Sequence, residues 1–420
     1  SAMILAENKN GKPKVLIGTD TRISSDMLVS AISAGLCSVG ADVLHLGVVP
    51  TPAVAFLVKE YGYDAGVMIS ASHNPFEYNG IKIFQSDGYK LPDTIEEKIE
   101  CIILDEAVPP PVKIGGDIGV ISRSKSGCTD YINHIIKTSG GDFKGVTVAL
   151  DCANGSASAT AKDLFQGLGV GVLMTNASPS GLNINDRCGS THVENLQKFV
   201  VDNKCDVGFA FDGDADRLIA VDQKGAIVDG DKIIAICAKE MKDTGRLKDN
   251  TAVVTVMSNM GFFKFAQENE INCKTTKVGD RYVLEEMRKG GYVIGGEQSG
   301  HVIFLEYSTT GDGQLTAVQI LKTMKRTGKK LSELASIMDV FPQVMYNVKV
   351  SSFGKLRFED DKEIKKAVKE SQDELGDDGR VLVRASGTEP LVRVMLEGKD
   401  NVQIKRLGKE LAELVRERLI

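Results

Sequence analysis

A short apolar run that stops in a polar, glycine-containing loop recurs along this chain, with helical periodicity between the recurrences. That alternation restricts the fold more than any other feature. Lys14–Gly18 reads as a strand and opens into Thr19-Asp20-Thr21-Arg22. Asp26–Val39 has helical periodicity and ends at Gly40, and Asp42–Leu46 reads as the next strand. Pro50-Thr51-Pro52 starts a helix reaching Glu60, and the strand Val67-Met68-Ile69 ends in Ser70-Ala71-Ser72-His73-Asn74-Pro75. A β-α-β-α-β order predicts a parallel or mixed sheet with helices on its faces.

The pattern returns twice. Val146–Leu150 opens into Asp151-Cys152-Ala153-Asn154-Gly155, and Val207–Phe211 opens into Asp212-Gly213-Asp214-Ala215-Asp216-Arg217. Ala252–Val256 opens into Met257-Ser258-Asn259, and Tyr292-Val293-Ile294 leads to Gly295-Gly296-Glu297-Gln298-Ser299-Gly300-His301. Each time a strand with a polar loop precedes a second strand with a richer one. Three related α/β units, each lending a loop to one cleft, are expected. The last part differs: Gln343–Val350 alternates, Asp360–Leu375 is helical, two strands flank Ala385–Pro390, and Val402–Ile420 is an amphipathic helix. A small α+β unit is expected there, and the divisions fall at residues 1–125, 126–224, 225–341 and 342–420.

Composition narrows the function. The net charge is −6 and Lys/Arg tracts are absent, which argues against a nucleic-acid surface but leaves local anion pockets open. The eight cysteines form no C-x-x-C pair, so they read as reduced, buried thiols rather than zinc ligands. Without an apolar run of about 18 residues no membrane span is expected, and without a visible signal peptide the expectation is cytoplasmic.

Ser72 sits at the tip of a strand-end turn, with His73 beside it and Lys82 beyond a second turn at Asn79-Gly80. Chemistry in α/β sheets gathers at the carboxyl ends of strands, so Ser72 is a candidate nucleophile; a Ser-rich capping turn fits this stretch equally well. Asp212, Asp214 and Asp216 alternate, and extended backbone would aim all three carboxylates to one side. Such a set repels itself unless a hard cation such as Mg²⁺ or Ca²⁺ joins it; the competing reading is a solvated acidic turn. Glu297 and Ser299 could hold sugar hydroxyls, although a polar turn is as good a reading. Arg384, Ser386, Gly387, Thr388 and Arg393 combine two guanidiniums, two hydroxyls and a small-residue turn, which favours a phosphorylated ligand. His45 and His134 read as structural, and Asn183–His192 is a polar loop without a derivable role.

Taken together and in order, SASHNP, DGDADR, GEQSGH and RASGTEPLVR resemble the α-D-phosphohexomutase superfamily over nearly the whole chain. GEQSGH, Val278–Val283, and DCANG followed by GLNIND and GSTH are most similar to the phosphoglucosamine mutases. The resemblance implies three α/β domains with mixed sheets and a C-terminal α+β, TATA-binding-protein-like domain around a central cleft. It implies interconversion of glucosamine 6-phosphate and glucosamine 1-phosphate, supplying UDP-N-acetylglucosamine. Phosphorylated Ser72 and Mg²⁺ would take part, with glucosamine 1,6-bisphosphate or glucose 1,6-bisphosphate as activator.

The resemblance assigns Mg²⁺ to Asp212, Asp214 and Asp216 with Ser72. It places Lys82, Arg217 and His301 near the transferring phosphoryl. Sugar contacts fall to Glu297 and Ser299, and phosphate contacts to the Arg384–Arg393 set. Arg22, His73 and Arg281 join the substrate-binding set. The expected partner is a small phosphosugar, with a homodimer through the first domain as in relatives; neither nucleic acid nor membrane is expected. Two other activities remain open: a phosphomannomutase/phosphoglucomutase, and a Mg²⁺-dependent phosphatase with Asp212 as nucleophile.

Two departures stand out. Relatives carry an FGTDGIRG-like segment before the part matching Ile4, including an Arg directed at the site. Here Ser1-Ala2-Met3, which reads as an expression remnant, abuts Ile4; either the chain is shortened there or residues between Met3 and Ile4 are omitted, and if they are gone the first sheet lacks a strand and activity suffers. Thr19 stands where relatives have Arg.

Overall fold

The computed structural model describes residues 11–104, 111–386 and 390–420. The expected N-terminal departure therefore falls outside the described residues. The chain divides into two compact units, Ser1–Met257 with Glu270–Ile337, and Ser258–Asn269 with Met338–Ile420.

The first unit holds three sheets built on one plan. In the first, β1 (Lys14–Thr19) lies between β2 (Asp42–Val48) and β3 (Ala65–Ile69), parallel to both, and β4 (Ile81–Gln85) turns back antiparallel to β3. Helices α1 (Ser25–Ser38) and α2 (Thr51–Glu60) make the crossovers, and α3 (Asp93–Ile103) follows the sheet. A short edge strand, β5 (Ile121–Arg123), joins β2, and α4 (Gly127–Thr138) leads into the second sheet.

There β6 (Thr147–Asp151) lies between β7 (Gly171–Thr175) and β8 (Val207–Phe211), again parallel to both, with α5 (Ala161–Gly167) and α6 (Glu194–Asp202) as crossovers. The next strand, β9 (Leu218–Asp222), is antiparallel to β8, and β10 (Ile227–Val228) extends the edge. Helix α7 (Gly230–Asp243) leads to the third sheet, whose order is β12 (Asn272–Thr276), β11 (Thr251–Thr255), β13 (Ile294–Gly296), β14 (Val302–Phe304). Its last pair is again antiparallel, with α9 (Asp280–Gly290) before β13 and α10 (Gly313–Thr327) after β14. The intervening α8 (Met260–Glu268) falls within the second unit.

The three central strands are buried on both faces, which explains why Val15–Ile17, Val148–Leu150 and Ala252–Val254 read as continuous apolar runs instead of alternating. The plan has a functional consequence. The Ser72, Asp212–Arg217 and Glu297–His301 loops each join a parallel strand to its antiparallel neighbour, so equivalent sheet positions carry all three.

In the second unit, β15 (Gln343–Lys349), β17 (Leu391–Gly398) and β16 (Gly379–Ala385) form an antiparallel sheet. Helices α11 (Lys362–Leu375) and α12 (Asn401–Leu419) share its core through Val348, Val394, Ile364, Leu411 and Val415. Asp361 and Asp400 cap these helices by accepting from first-turn amides, which fixes where each begins. All eight cysteines are free, and no helix among the described residues is long and apolar enough to cross a membrane.

Candidate active site

The serine loop begins where β3 ends. Ser70 Oγ donates to the buried Asp20 carboxylate (2.7 Å) and accepts from the Ser72 N–H (3.0 Å). Ser72 adopts a left-handed backbone (φ 50) and its hydroxyl donates to Asp212 Oδ2 at 2.6 Å. Non-glycine residues hold such a conformation only when their surroundings fix it. Two side chains fix it here. Arg22 Nη2 donates to the Ser72 and Asn74 carbonyls (3.0 and 2.8 Å), Nη1 to the Pro75 and Tyr78 carbonyls, and Nε to Asp20. Asn185 Nδ2 donates to the same Ser72 and Asn74 carbonyls (2.9 and 3.0 Å).

Arg22 was expected to bind substrate. It is 2% exposed, and its five N–H donors meet five acceptors of the protein itself, so it organises the loop. Asn185, in the polar segment Asn183–His192, was missed as a functional residue. The density of amide side chains there was a signal that something needed holding, but not what.

The acidic loop supplies what the Ser72 hydroxyl faces. Asp212, Asp214 and Asp216 offer carboxylate oxygens that all lie within 4.8 Å of one another, and each side chain is nearly or fully buried. The convergence matches expectation, but extended alternation is not its cause. Ala215 is left-handed (φ 58), and its N–H donates to the Asp212 carbonyl (3.0 Å), so a tight turn brings the carboxylates together. Burial and the Asp216 and Asp214 charges push the Asp212 carboxyl well above the carboxylate range. For Asp216 burial acts in the same sense but is outweighed, Lys82 contributing most, and the carboxyl is held below the range.

Lys82, on β4, pairs with Asp214 and Asp216. Thr51 also donates to Asp214. Even so, Asp214 Oδ1 and Asp216 Oδ1 are buried without a hydrogen-bond partner. Orphaned carboxylate oxygens beside a hydroxyl form an all-oxygen donor set that suits Mg²⁺.

Arg217 and His73 flank Ser72. Arg217 Nη1 donates to His73 Nδ1 (3.2 Å), and that nitrogen lies 3.5 Å from Ser72 Oγ. Desolvation and then the Arg217 charge lower the His73 pKa. Arg217 Nε is buried without a hydrogen-bond partner and lies 3.9 Å from Asp216 Oδ1, a donor with spare capacity beside the acidic loop.

The third loop is joined to the second by backbone. The Leu218 N–H donates to the Gly300 carbonyl (3.0 Å), and the Gly230 N–H to the Gln298 carbonyl (3.0 Å). Glu297 Oε1 accepts from the Gly279 N–H (3.1 Å), and Ser299 is exposed. His301 is 3% exposed; its Nε2 accepts from the Gly311 N–H (3.2 Å) and lies 4.0 Å from Asp216 and 3.7 Å from Asp280. The imidazole therefore stands behind a metal-loop carboxylate, with Asp280 on its other side. Burial works to raise Asp280, yet His301 and then Lys90 outweigh it and bring the carboxyl down to about 2.

Arg281 departs from expectation. Its guanidinium pairs with Asp93 and Glu285 and lies 3.9 Å from Glu96, so in this structure it is committed to other side chains, not turned to substrate.

In the second unit, Arg384 and Arg393 sit directly opposite each other on β16 and β17. Like charges at paired positions destabilise a sheet unless an anion joins them. Burial and then Arg393 lower the Arg384 pKa, the same conflict seen from the proton's side. Ser386 is buried beside them, while Gly387 and Thr388 lie outside the described residues.

Comparison with known proteins follows these lines. Models of the phosphoglucomutase/phosphomannomutase α/β/α domains I, II and III match residues 1–108, 129–225 and 229–341, and that of the C-terminal domain matches 345–414. The chain is 54% identical over 418 residues to a phosphoglucosamine mutase of Ruminiclostridium cellulolyticum, covering 100% of this chain and 93% of the relative. It is 56% identical over 408 residues to one from Thermoanaerobacter sp., covering 97% and 91%. A phosphoglucomutase/phosphomannomutase family protein from Burkholderia thailandensis has a similar fold: TM-score 0.82, 24% identity, 100% and 92% coverage. So does Aspergillus fumigatus N-acetylphosphoglucosamine mutase in complex with GlcNAc-6P and magnesium: TM-score 0.69, 18% identity, 98% and 85% coverage.

Proposed function

The chain belongs to the phosphoglucomutase/phosphomannomutase family, and we propose that it interconverts glucosamine 6-phosphate and glucosamine 1-phosphate. The observation that carries this reading is the 2.6 Å contact between Ser72 Oγ and Asp212, which seats a hydroxyl against a cation cage. In the proposed cycle Ser72 carries a phosphoryl group. The P–Oγ bond breaks as a bond to the free sugar hydroxyl forms, and the proton that hydroxyl gives up ends on the released Ser72 Oγ. The bisphosphate reorients, and its other phosphoryl returns to Ser72. Little covalent work falls to the protein, which must position groups and neutralise charge.

Asp212, Asp214 and Asp216 would hold Mg²⁺, which when bound stabilises charge on the transferring oxygens. Arg217 supplies its unpartnered Nε–H, and Lys82 adds positive charge behind the cage. Glu297 and Ser299 address sugar hydroxyls. Arg384, Ser386 and Arg393 grip the phosphate that does not react, whichever carbon carries it. In this reading the residues belong to four domains, 1–125, 126–224, 225–341 and 342–420, one loop from each. The enzyme acts on a phosphosugar in the cytoplasm, and a bisphosphorylated hexosamine or glucose restores lost phosphate on Ser72.

Ser72→Ala is expected to abolish interconversion, and intact-mass mapping should place the phosphate on Ser72. Full activity of Ser72→Ala, or steady release of inorganic phosphate, would sink the reading. Arg393→Gln should raise KM about tenfold with kcat little changed, the loss of one charge-assisted contact. Glucose phosphate turning over faster than glucosamine phosphate would reassign the sugar.

A further inference from the structure

The turn Gly311-Asp312-Gly313, between β14 and α10, belongs to none of the motifs that mark the site. Its three consecutive N–H groups nevertheless hold three parts of it. Gly311 donates to the His301 imidazole (3.2 Å), Asp312 to the Val302 carbonyl on β14 (3.3 Å), and Gly313 to the carbonyl of Ala215 (3.0 Å), the residue between Asp214 and Asp216. The approach is close. A Cβ on Gly311 would fall 2.5 Å from the His301 ring, and one on Gly313 would fall 2.4 Å from the Arg217 carbonyl oxygen. Where the turn goes, the acidic loop and the imidazole follow.

The turn is anchored from below. Asp312 is 2% exposed and caps α10 by accepting from the Leu315 N–H (2.9 Å). It also accepts the Tyr131 hydroxyl, 2.9 Å from one carboxylate oxygen and 3.0 Å from the other. Tyr131 is fully buried on α4. Capping needs one oxygen and is served as well by Ser or Asn. The contact with Tyr131 exceeds that need and costs desolvation of both groups. What it adds is rigidity: a buried, multiply bonded carboxylate has no second position to relax into.

Resting on the reading of Asp212, Asp214 and Asp216 as a cation cage, we infer that Asp312 and Tyr131 are positioning residues. They set the spacing between the acidic loop and His301, and thereby metal affinity and phosphoryl transfer, without touching substrate. Ala215 is the lever: its left-handed conformation orients the carboxylates on either side of it, and its carbonyl is held by this turn.

The test compares Tyr131→Phe and Asp312→Asn with Thr138→Val. Thr138 lies on α4 too and accepts from Gln319 Nε2 of α10 (2.9 Å), so the control removes one buried hydrogen bond between the same two helices, away from the turn. Mn²⁺ binding to the full chain without sugar is measured from the electron paramagnetic resonance of free Mn²⁺, alongside melting temperature, kcat and KM. Tyr131→Phe should weaken Mn²⁺ binding and lower kcat by about 3- to 10-fold, as loss of one hydrogen bond of ordinary strength implies, with KM for the sugar phosphate unchanged. Asp312→Asn, which keeps the cap, should do the same. Thr138→Val should lower the melting temperature alone. Equal effects of Tyr131→Phe and Thr138→Val, or unshifted Mn²⁺ binding in Tyr131→Phe, would overturn the inference. No Mn²⁺ binding by the unaltered protein would overturn the cage and the inference with it.

Discussion

The acidic loop Asp212–Arg217 and the serine loop Ser70–Gly80 occupy equivalent positions in sister sheets, yet they are held in shape by opposite means. The acidic loop closes largely on itself. Ala215 N–H bonds back to the Asp212 carbonyl, and the Arg217 N–H bonds to the Asp212 side chain at 3.1 Å. The serine loop has local turns as well, but four of its carbonyls point at Arg22 and Asn185, which come from other parts of the chain. The acidic loop makes its turn with its own hydrogen bonds and is then braced from outside by Thr51, Ser156 and Gly313; the serine loop takes its shape from donors that only folding brings near. Mutation should therefore dissociate function from stability in the first and join them in the second.

The largest expected effect is in the serine loop. Arg22→Met leaves the Pro75 and Tyr78 carbonyls without their side-chain donor, the Ser72 and Asn74 carbonyls with Asn185 alone, and the buried Asp20 without its ion pair, so stability should fall by about 3–5 kcal/mol and activity should be lost with it. Chemical denaturation measures this, and a melting transition unchanged from the parent would break the comparison. Asp212→Asn should behave oppositely. Activity falls by about 10²-fold, since a charge-stabilising group is lost. Without metal, however, the melting temperature should stay level or rise, because a carboxylate crowded by two others is relieved. A clear drop in metal-free stability would show that this loop also depends on that charge.

A smaller change, Asn185→Ala, sharpens the first case. The Ser72 and Asn74 carbonyls keep Arg22 but lose a second donor, and kcat should fall about 10-fold with KM unchanged. A rise in KM alone would mean that Asn185 binds sugar.

A pH-dependent effect concerns Asp312, whose pKa burial raises to about 7, against the pull of Leu315 and Tyr131 as hydrogen-bond donors. Tyr131, His301 and the Asp216 carboxylate are the titratable groups around it. The folded protein holds this proton more tightly than the unfolded chain does. Its stabilising contribution is therefore complete below pH 4 and is lost as pH rises through 7. Relative to Asp312→Asn, the parent should lose up to about 1.4 kcal/mol per pH unit between pH 5 and 7. A pH-independent difference between the two proteins would mean that the carboxylate stays charged throughout.

Much of this was legible in the linear chain. The strands Val207–Phe211 and Lys14–Gly18, the helix to Glu60 and the α+β order after Gln343 follow from apolar period and from Gly and Pro punctuation, which are local. Asp212, Asp214, Asp216 and the pair Arg384/Arg393 were readable because each chemistry sits within one hairpin. What Arg22 and Arg281 meet in the fold was not legible for the converse reason. A guanidinium looks the same whether it meets a ligand or the protein, and what it meets depends on segments remote in sequence.

Thus the sequence alone determined the three-fold α/β plan, the acidic cluster and the serine turn, since periodicity and short-range hydrogen bonding are written in adjacent residues. The tertiary structure decided that Ser72 touches Asp212 across 140 positions, that Asn185 and Arg22 share the same carbonyls, and that the Tyr131 hydroxyl donates to Asp312. Each of these joins segments remote in sequence, and no local pattern encodes which donor arrives at which acceptor.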